Sequence, residues 1–520
     1  MLEYQSGRRP LPRCLLRLAL LAGTALTGTC NISIADDALS SDEINEWRFH
    51  LEHDSLVISS SSYDRTKGAL ALLTIGTTIP NSATATTTAV AGNNYVTVWN
   101  NASVDGSFGA TSPILLSDVD AFSGRTLHTL RVPADAVVTS FSSKSELGLH
   151  VANDRRGPHI VFVAYAGPDV GALDVSNSDA VAGQDPTNSV TFAFGSNYAF
   201  RRTIVSLDEN GRLAYTPTIN YGGNNGRSAL LGSNGLYYTV GNANNGNAAA
   251  FGPSNGTNPD VTESTGLEVV NPIDAHWPGV TIPAGNSAEV DPLLQFKFTA
   301  KADKPGKDDN YRGVTEYGGA LYFTKGSGSN GVDTVYTVDS LPTLDNAAST
   351  TINIVPGFPT DSAKATGGDF TPFAVFFANS TTMYITDEAS GNVTDVASHA
   401  GLEKWSLIDG VWQLDYVLTN GLIGVIDTNL TGCDGQYPDV TTVGLRNLTG
   451  VVHKDGKVTL WATTSTSSAS GDQGADPNKV VRITDDLAAT TLTGNVAQES
   501  FETIAGPTYG KVYRGVAYVD

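Results

Sequence analysis

The sequence predicts an all-β chain folded into a closed ring of seven four-stranded sheets. Three observations predict it. A unit of two hairpin strands, a loop and a third strand recurs along the chain. The last residues, Arg514-Gly515-Val516-Ala517-Tyr518-Val519-Asp520, have the character of the unit's first strand and lead into nothing. The first strand-like segment, Ser55-Leu56-Val57-Ile58-Ser59, has the character of its second strand and lacks a first. The two incomplete ends complete each other, and pairing the C-terminal strand into the N-terminal sheet removes both open edges.

Residues 1–35 have the form of an export signal. Arg8, Arg9, Arg13 and Arg17 give a basic start, and the apolar stretch over 15–25 is too short to span a bilayer. Ser33-Ile34-Ala35 supplies a small-x-small cleavage site. A twin-Arg signal at Arg8-Arg9 and lipidation at Cys30 fit less well, because Pro10 and Pro12 follow the first and Thr27-Gly28-Thr29 is a poor lipobox. Residues 36–54 form a lead-in, and 55–520 a single repeat domain. No later stretch is long and apolar enough to cross a membrane.

The repeat units follow in order, each with strands a, b and c. The first is split: a at 514–519, b at 55–60 and c at 69–75. The second has a at 95–100, b at 113–118 and c at 125–132; the third has 147–151, 159–165 and 200–207. The fourth has a at 227–231, b at 236–240, a long loop insertion at 241–290, and c at 293–298. The fifth has 313–317, 320–325 and 333–339; the sixth 373–378, 382–387 and 402–408; the seventh 448–453, 457–464 and 479–484. Fourth strands are readable at 211–217 and 411–418, after the turns Asn210-Gly211 and Asp409-Gly410. The strands carry the β-branched and aromatic residues that fit a pleated, half-buried surface. Seven such units sharing a closure strand describe a β-propeller of about 70 residues per blade, long for the type. Two packed sandwiches would leave the incomplete ends unexplained.

Composition agrees. Of 520 residues only 16 % are charged and 54 are Gly, the profile of a turn-rich extracellular β protein and not of a helical or disordered one. The formal net charge of -22 repels phosphate backbones and anionic membranes, which argues against nucleic acid as a partner. Cys14 and Cys30 lie in the leader, so Cys433 is the sole mature cysteine and no internal disulfide can form. The expected protein is a secreted, extracellular or periplasmic monomer.

Residues 312–324 and 513–519, with their Arg-Gly-Val strand starts, resemble those of secreted propellers of the NHL and YVTN kind and of exported propellers without an assigned activity. The resemblance is one of architecture over nearly the whole mature chain. It implies no single activity, because function lives in sites grafted on a fold.

Two features point to a site. Arginines stand at or just before strand a in four units, at Arg227, Arg312, Arg446 and Arg514, with Glu146 near the same register in a fifth. These side chains gather at the mouth of the central channel. Clustered guanidinium groups repel unless something anionic sits among them, whether a ligand or the protein's own acids; alternatively each Arg ties its blade to a neighbour by hydrogen bonds. The second feature is acid in the b–c loops: Asp118 and Asp120; Asp169, Asp174 and Asp179; Asp387, Glu388 and Asp395; Asp472 and Asp476. Hard oxygen ligands on loops suit Ca2+, and the stretch from Ser470 to Asn478 is the best single candidate, although it lacks EF-hand spacing. Asp and Asn are also ordinary turn formers. Asp274, His276 and Trp277 end the insertion, and His399 lies in a b–c loop, so these are further residues placed for chemistry. Gly326-Ser327-Gly328-Ser329-Asn330-Gly331 matches a dinucleotide pattern but joins two strands and opens no helix.

Three readings follow. The chain binds a small-molecule or protein ligand on its loop-rich face, with an anion at the Arg-lined mouth. Alternatively it is a Ca2+-dependent hydrolase or lactonase acting on phosphoesters or lactones, with the metal polarising the bond and an Asp or His as base. The third reading is a cell-envelope interaction scaffold using an acidic face.

Overall fold

In the computed structural model the C-terminal strand pairs into the N-terminal sheet. Lys511–Val519 runs antiparallel to Ser55–Ser62, from Ser55 opposite Val519 to Ser62 opposite Lys511, with one bulge between Ile58 and Ser60. The structure describes residues 50–62, 76, 78–80, 86–88, 111–141, 145–154, 157–167, 175, 200–218, 221, 225–242, 266–273, 275–276, 290–291, 295–296, 310–326, 331–390, 399–424, 426–427, 431–432, 435–436, 440–467, 474 and 476–520. The leader, Asp169, Asp174, Asp179, Asp274, Trp277, Asp395, Cys433 and Asp472 lie outside these residues.

Among the described residues the propeller has six blades, not seven. Blade 1 is Lys511–Val519, Ser55–Ser62, Ile114–Asp120 and Thr126–Arg131, from the inside outwards. Blade 2 is His150–Asp154, Gly157–Ala166, Arg202–Asp208 and Leu213–Thr218. Blade 3 is Gly226–Leu231, Tyr237–Gly241, Leu267–Val270 and Val290–Asp291, and blade 4 is Val314–Tyr317, Ala320–Lys325, Thr334–Val338 and Thr351–Ile354. Blade 5 is Pro372–Asn379, Thr382–Asp387, Gly401–Ile408 and Val411–Leu418; blade 6 is Val440–Val452, Lys457–Thr466, Val480–Asp486 and Glu502–Ala505.

The lost blade has a plain cause. Ser55–Ser62 pairs directly with Ile114–Asp120, which pairs with Thr126–Arg131. The segments read as b and c of a second unit are therefore c and d of the first, and two expected blades merge into one. The stretch between them is an insertion in which Thr78–Pro80 and Thr86–Thr88 form a small hairpin. The expected strands at 69–75 and 95–100 lie outside the described residues. Blade 3 needs a second correction. Its third strand is Leu267–Val270, inside the stretch read as one long loop, while Gln295–Phe296 instead adds in parallel to the outer edge of blade 4. Ala275–His276 extends the outer edge of blade 2, so this part of the insertion does not overhang the channel mouth.

Packing between blades explains why so many strands are apolar on consecutive residues. Successive side chains of a strand point to opposite faces, and in a propeller both faces meet a neighbouring blade. Along blade 2, Ile160, Phe162 and Ala164 join a core with blade 1, whereas Val161 and Val163 join one with blade 3. Further cores join blades 3 and 4, 4 and 5, and 5 and 6. Leu56, Ile58, Trp461, Val516 and Tyr518 join blade 6 back to blade 1, which completes the circle. Trp405 and Trp412 belong to the core between blades 4 and 5.

The six inner strands neighbour one another in a ring. The glycine of each Arg-Gly-Val start exists for this approach. A Cβ on Gly515 would lie 2.3 Å from the Leu147 carbonyl of blade 2, and one on Gly313 would lie 2.6 Å from the Phe373 carbonyl of blade 5. The arginine before each glycine is thereby held at the entrance of the channel.

Candidate functional site

All four arginines are buried at this entrance, between 2 % and 4 % exposed. Two carboxylates share the ring. Glu146, from the segment leading into blade 2, is 1 % exposed, and Glu388, which follows the second strand of blade 5, is 2 % exposed. Blades 1, 3, 4 and 6 each contribute an arginine, and blades 2 and 5 each contribute an acid.

Glu388 lies between two arginines. Its Oε1 is 3.5 Å from Arg312 Nη2, and its Oε2 accepts from Arg446 Nε at 3.2 Å. Glu146 is held mainly by neutral donors: Asn225 Nδ2 at 2.9 Å, Thr139 Oγ1 at 3.1 Å, the Ser140 amide at 3.3 Å and the Tyr165 hydroxyl. Burial pushes its carboxyl above the usual range. Arg312 Nη1 donates to Ser145 Oγ at 2.8 Å. Arg312 belongs to blade 4 and Ser145 to the approach to blade 2, so this bond passes over blade 3 across the channel mouth.

Arg227 Nη1 donates to the Tyr311 carbonyl at 2.7 Å and to Asn310. Arg514 Nε donates to Ser61 Oγ at 3.1 Å, and its Nη2 to the carbonyls of Gly474, at 3.2 Å, and Phe141. These bonds tie blade to blade, as one of the two readings of the arginines expects. They leave nitrogen donors over: Arg227 Nε, Arg312 Nε and Arg446 Nη2 are buried without a hydrogen-bond partner among the described residues. Burial, followed by the charge of Arg312, pushes Arg227 well below the usual guanidinium range, and burial lowers Arg312. A buried cation facing like charge is costly to leave uncompensated.

Beside the ring, Lys325 and Asp333 form a buried ion pair at 2.6 Å, and burial lifts Asp333 to about 6. Asp387 accepts from the Thr371 amide at 2.6 Å, Thr371 Oγ1 at 2.5 Å and the Ala389 amide at 2.8 Å, which fixes the turn carrying Glu388. His399 bonds through Nδ1 to Glu403 Oε1 at 2.6 Å, and Glu403 Oε2 accepts from Trp405 Nε1 at 2.7 Å. Burial raises Glu403 to about 7, and the hydrogen bond to Glu403 raises His399.

The acids considered for Ca2+ have other placements. Asp118 and Asp120 belong to the third strand of blade 1, towards its turn into Thr126–Arg131, at the end away from the channel mouth. They are not in a b–c loop because that strand is one position further along its blade than the sequence pattern indicates. Asp118 is buried and accepts the Glu52 amide at 3.4 Å. Asp120 Oδ1 accepts from the Ser123 amide and hydroxyl, both at 2.7 Å, in an ordinary turn. Asp476 is buried and accepts from Thr466 Oγ1 at 3.1 Å. Among the described residues no three His, Cys, Asp or Glu side chains cluster as a metal site.

No family model matches the chain, and no curated protein sequence is similar to it. Several solved structures are distantly similar. A Synechocystis apocarotenoid oxygenase mutant is 9 % identical, with a TM-score of 0.30, over 91 % of this chain and 97 % of that one. A protein of unknown function from Dyadobacter fermentans is 11 % identical, with a TM-score of 0.29, over 68 % of this chain and 80 % of that one. A GH43_1 enzyme from Xanthomonas citri complexed with xylose is 9 % identical, with a TM-score of 0.26, over 60 % of this chain and 85 % of that one. Likeness at this level assigns no activity to the chain.

Proposed function

We propose that this chain is an exported ligand-binding propeller whose channel mouth receives an anion. One observation carries the reading: guanidinium nitrogens of Arg227, Arg312 and Arg446 are buried at one ring with no acceptor among the described residues. Among the described residues, four arginines and two glutamates meet at this ring. A bound anion would supply the missing acceptors through charge-assisted hydrogen bonds. The overall charge of -22 opposes the approach of anions at long range but is screened within about 10 Å at ordinary salt. No observation on the described residues favours the Ca2+ hydrolase or the envelope scaffold over this reading.

The test is calorimetric titration of the protein with halide, carboxylate, sulfate and phosphate salts. Saturable binding of at least one of them to the native protein, lost in Arg312→Gln with the cooperative melt retained, supports the reading. Absence of binding for every anion at millimolar concentration overturns it.

A further inference from the structure

The anion site has a charge and a set of donors that select among anions. Among the described residues the ring itself holds four guanidinium groups and two carboxylates, with the Lys325–Asp333 ion pair and the buried Asp387 beside it. With both glutamates ionised, guanidinium groups still outnumber carboxylates among the described ring residues, and protonation of Glu146 would widen that excess. The unpartnered donors are distributed. Arg227 Nε belongs to blade 3, Arg312 Nε to blade 4 and Arg446 Nη2 to blade 6. The buried Ser140 hydroxyl, whose own amide bonds Glu146, likewise has no partner among the described residues.

A halide is a single acceptor centre, and a carboxylate offers two oxygens in one plane. A tetrahedral oxyanion presents oxygens in several directions and carries up to two charges, so it can meet donors on separate blades at once. Every arginine is at most 4 % exposed, so a ligand of this ring would be a small ion or the end of a larger molecule. We propose, resting on the anion-binding reading, that the ligand is a doubly charged tetrahedral oxyanion of the sulfate or phosphate class, free or as the terminal group of a monoester.

The experiment uses the full chain at constant ionic strength. Sulfate, inorganic phosphate, glycerol phosphate, chloride and acetate are titrated separately between about pH 6 and about pH 8, the range in which a phosphate group sheds its second proton. The expected result is one sulfate or phosphate per chain, bound at least about tenfold more tightly than chloride or acetate. Phosphate affinity should rise with pH relative to sulfate affinity, because only phosphate gains charge. Glycerol phosphate matching inorganic phosphate would identify a terminal ester group as ligand, and its exclusion would identify the free ion. Arg446→Gln should reduce the preference for sulfate over chloride; Arg227→Gln, in another blade, serves if that variant does not fold. Chloride or acetate equalling sulfate overturns the oxyanion proposal and leaves the anion site standing. No binding by any anion overturns both.

Discussion

Lys404 and Asp485 form a buried ion pair between blades 5 and 6, and its removal should be strongly non-additive. Lys404 Nζ donates to Asp485 Oδ2 at 2.9 Å, to the Tyr416 hydroxyl at 3.0 Å and to the Asp486 carbonyl at 2.6 Å. Asp485 also accepts from the Tyr384 hydroxyl at 2.5 Å and the Tyr416 hydroxyl at 2.8 Å. The side chains are 1 % and 0 % exposed, so neither charge can turn to water if its partner is lost. Lys404→Met leaves a buried carboxylate and Asp485→Asn leaves a buried ammonium; each should cost about 3–5 kcal/mol. The double variant removes both charges and should lie within about 2 kcal/mol of wild type, because the desolvation of the pair is no longer opposed by its attraction. Urea unfolding followed by circular dichroism reads this directly, with the slope of the transition checked to be unchanged. Single variants that each cost less than about 1 kcal/mol, or a double variant equal to the sum of the singles, would refute the reasoning.

Three further outcomes are expected. Burial, followed by a hydrogen bond to Asp485 and its charge, raises Glu499 to about 8, so the folded state holds a proton that the unfolded chain has shed. Stability from this group is present below about pH 4.5 and is lost as pH rises towards about pH 8, and Glu499→Gln should flatten that part of the melting-temperature profile. Gly515→Ala should destabilise by about 1–3 kcal/mol through overpacking. Gly506→Ala is the control, because a Cβ there meets nothing within 4 Å, and equal melting temperatures for the two would refute the crowding account. Deleting residues 511–520 removes Tyr518, which stacks on Trp461 at 4.9 Å, together with the strand that closes the ring. The expected result is loss of the cooperative melt with red-shifted tryptophan emission, and a wild-type melt would sink the closure argument.

The sequence made the closure legible because the two end strands have complementary defects, and it made blades 4, 5 and 6 legible because their a–b connections are short. It misled where pairing is set by distant partners. The pattern at 113–118 has the form of a second strand, and only its pairing with Ser55–Ser62 makes it a third. Leu267–Val270 is four residues long and carries the buried Glu268, so its apolar pattern is broken and its pairing with Tyr237–Gly241 alone reveals it. At the site, Arg227, Arg312, Arg446, Arg514 and Glu146 were legible from their register. Glu388 reads as a loop acid because its blade begins with Pro372-Phe373 in place of an arginine, and its place in the ring depends on side chains of the blades on either side.

Placing the arginines beside the closure glycines has a mechanical consequence. Gly515 lets the inner strand of blade 1 approach blade 2, and Arg514 next to it bonds Ser61 of the closing sheet and the Phe141 carbonyl leading to blade 2. The anion proposed for the ring would touch donors of blades 3, 4 and 6, and the backbone joins blade 6 to the other two only through the blades between. Such an ion would cross-link the circle at its entrance and would bind the closed ring better than any opened form. At a hundredfold excess over its dissociation constant it would therefore stabilise the native state by about 2.7 kcal/mol. Because the ring gathers its donors only when every blade is in place, that gain should vanish in the chain lacking residues 511–520 even if the remaining blades stay folded. An equal gain in the truncated chain would mean that the anion sits elsewhere.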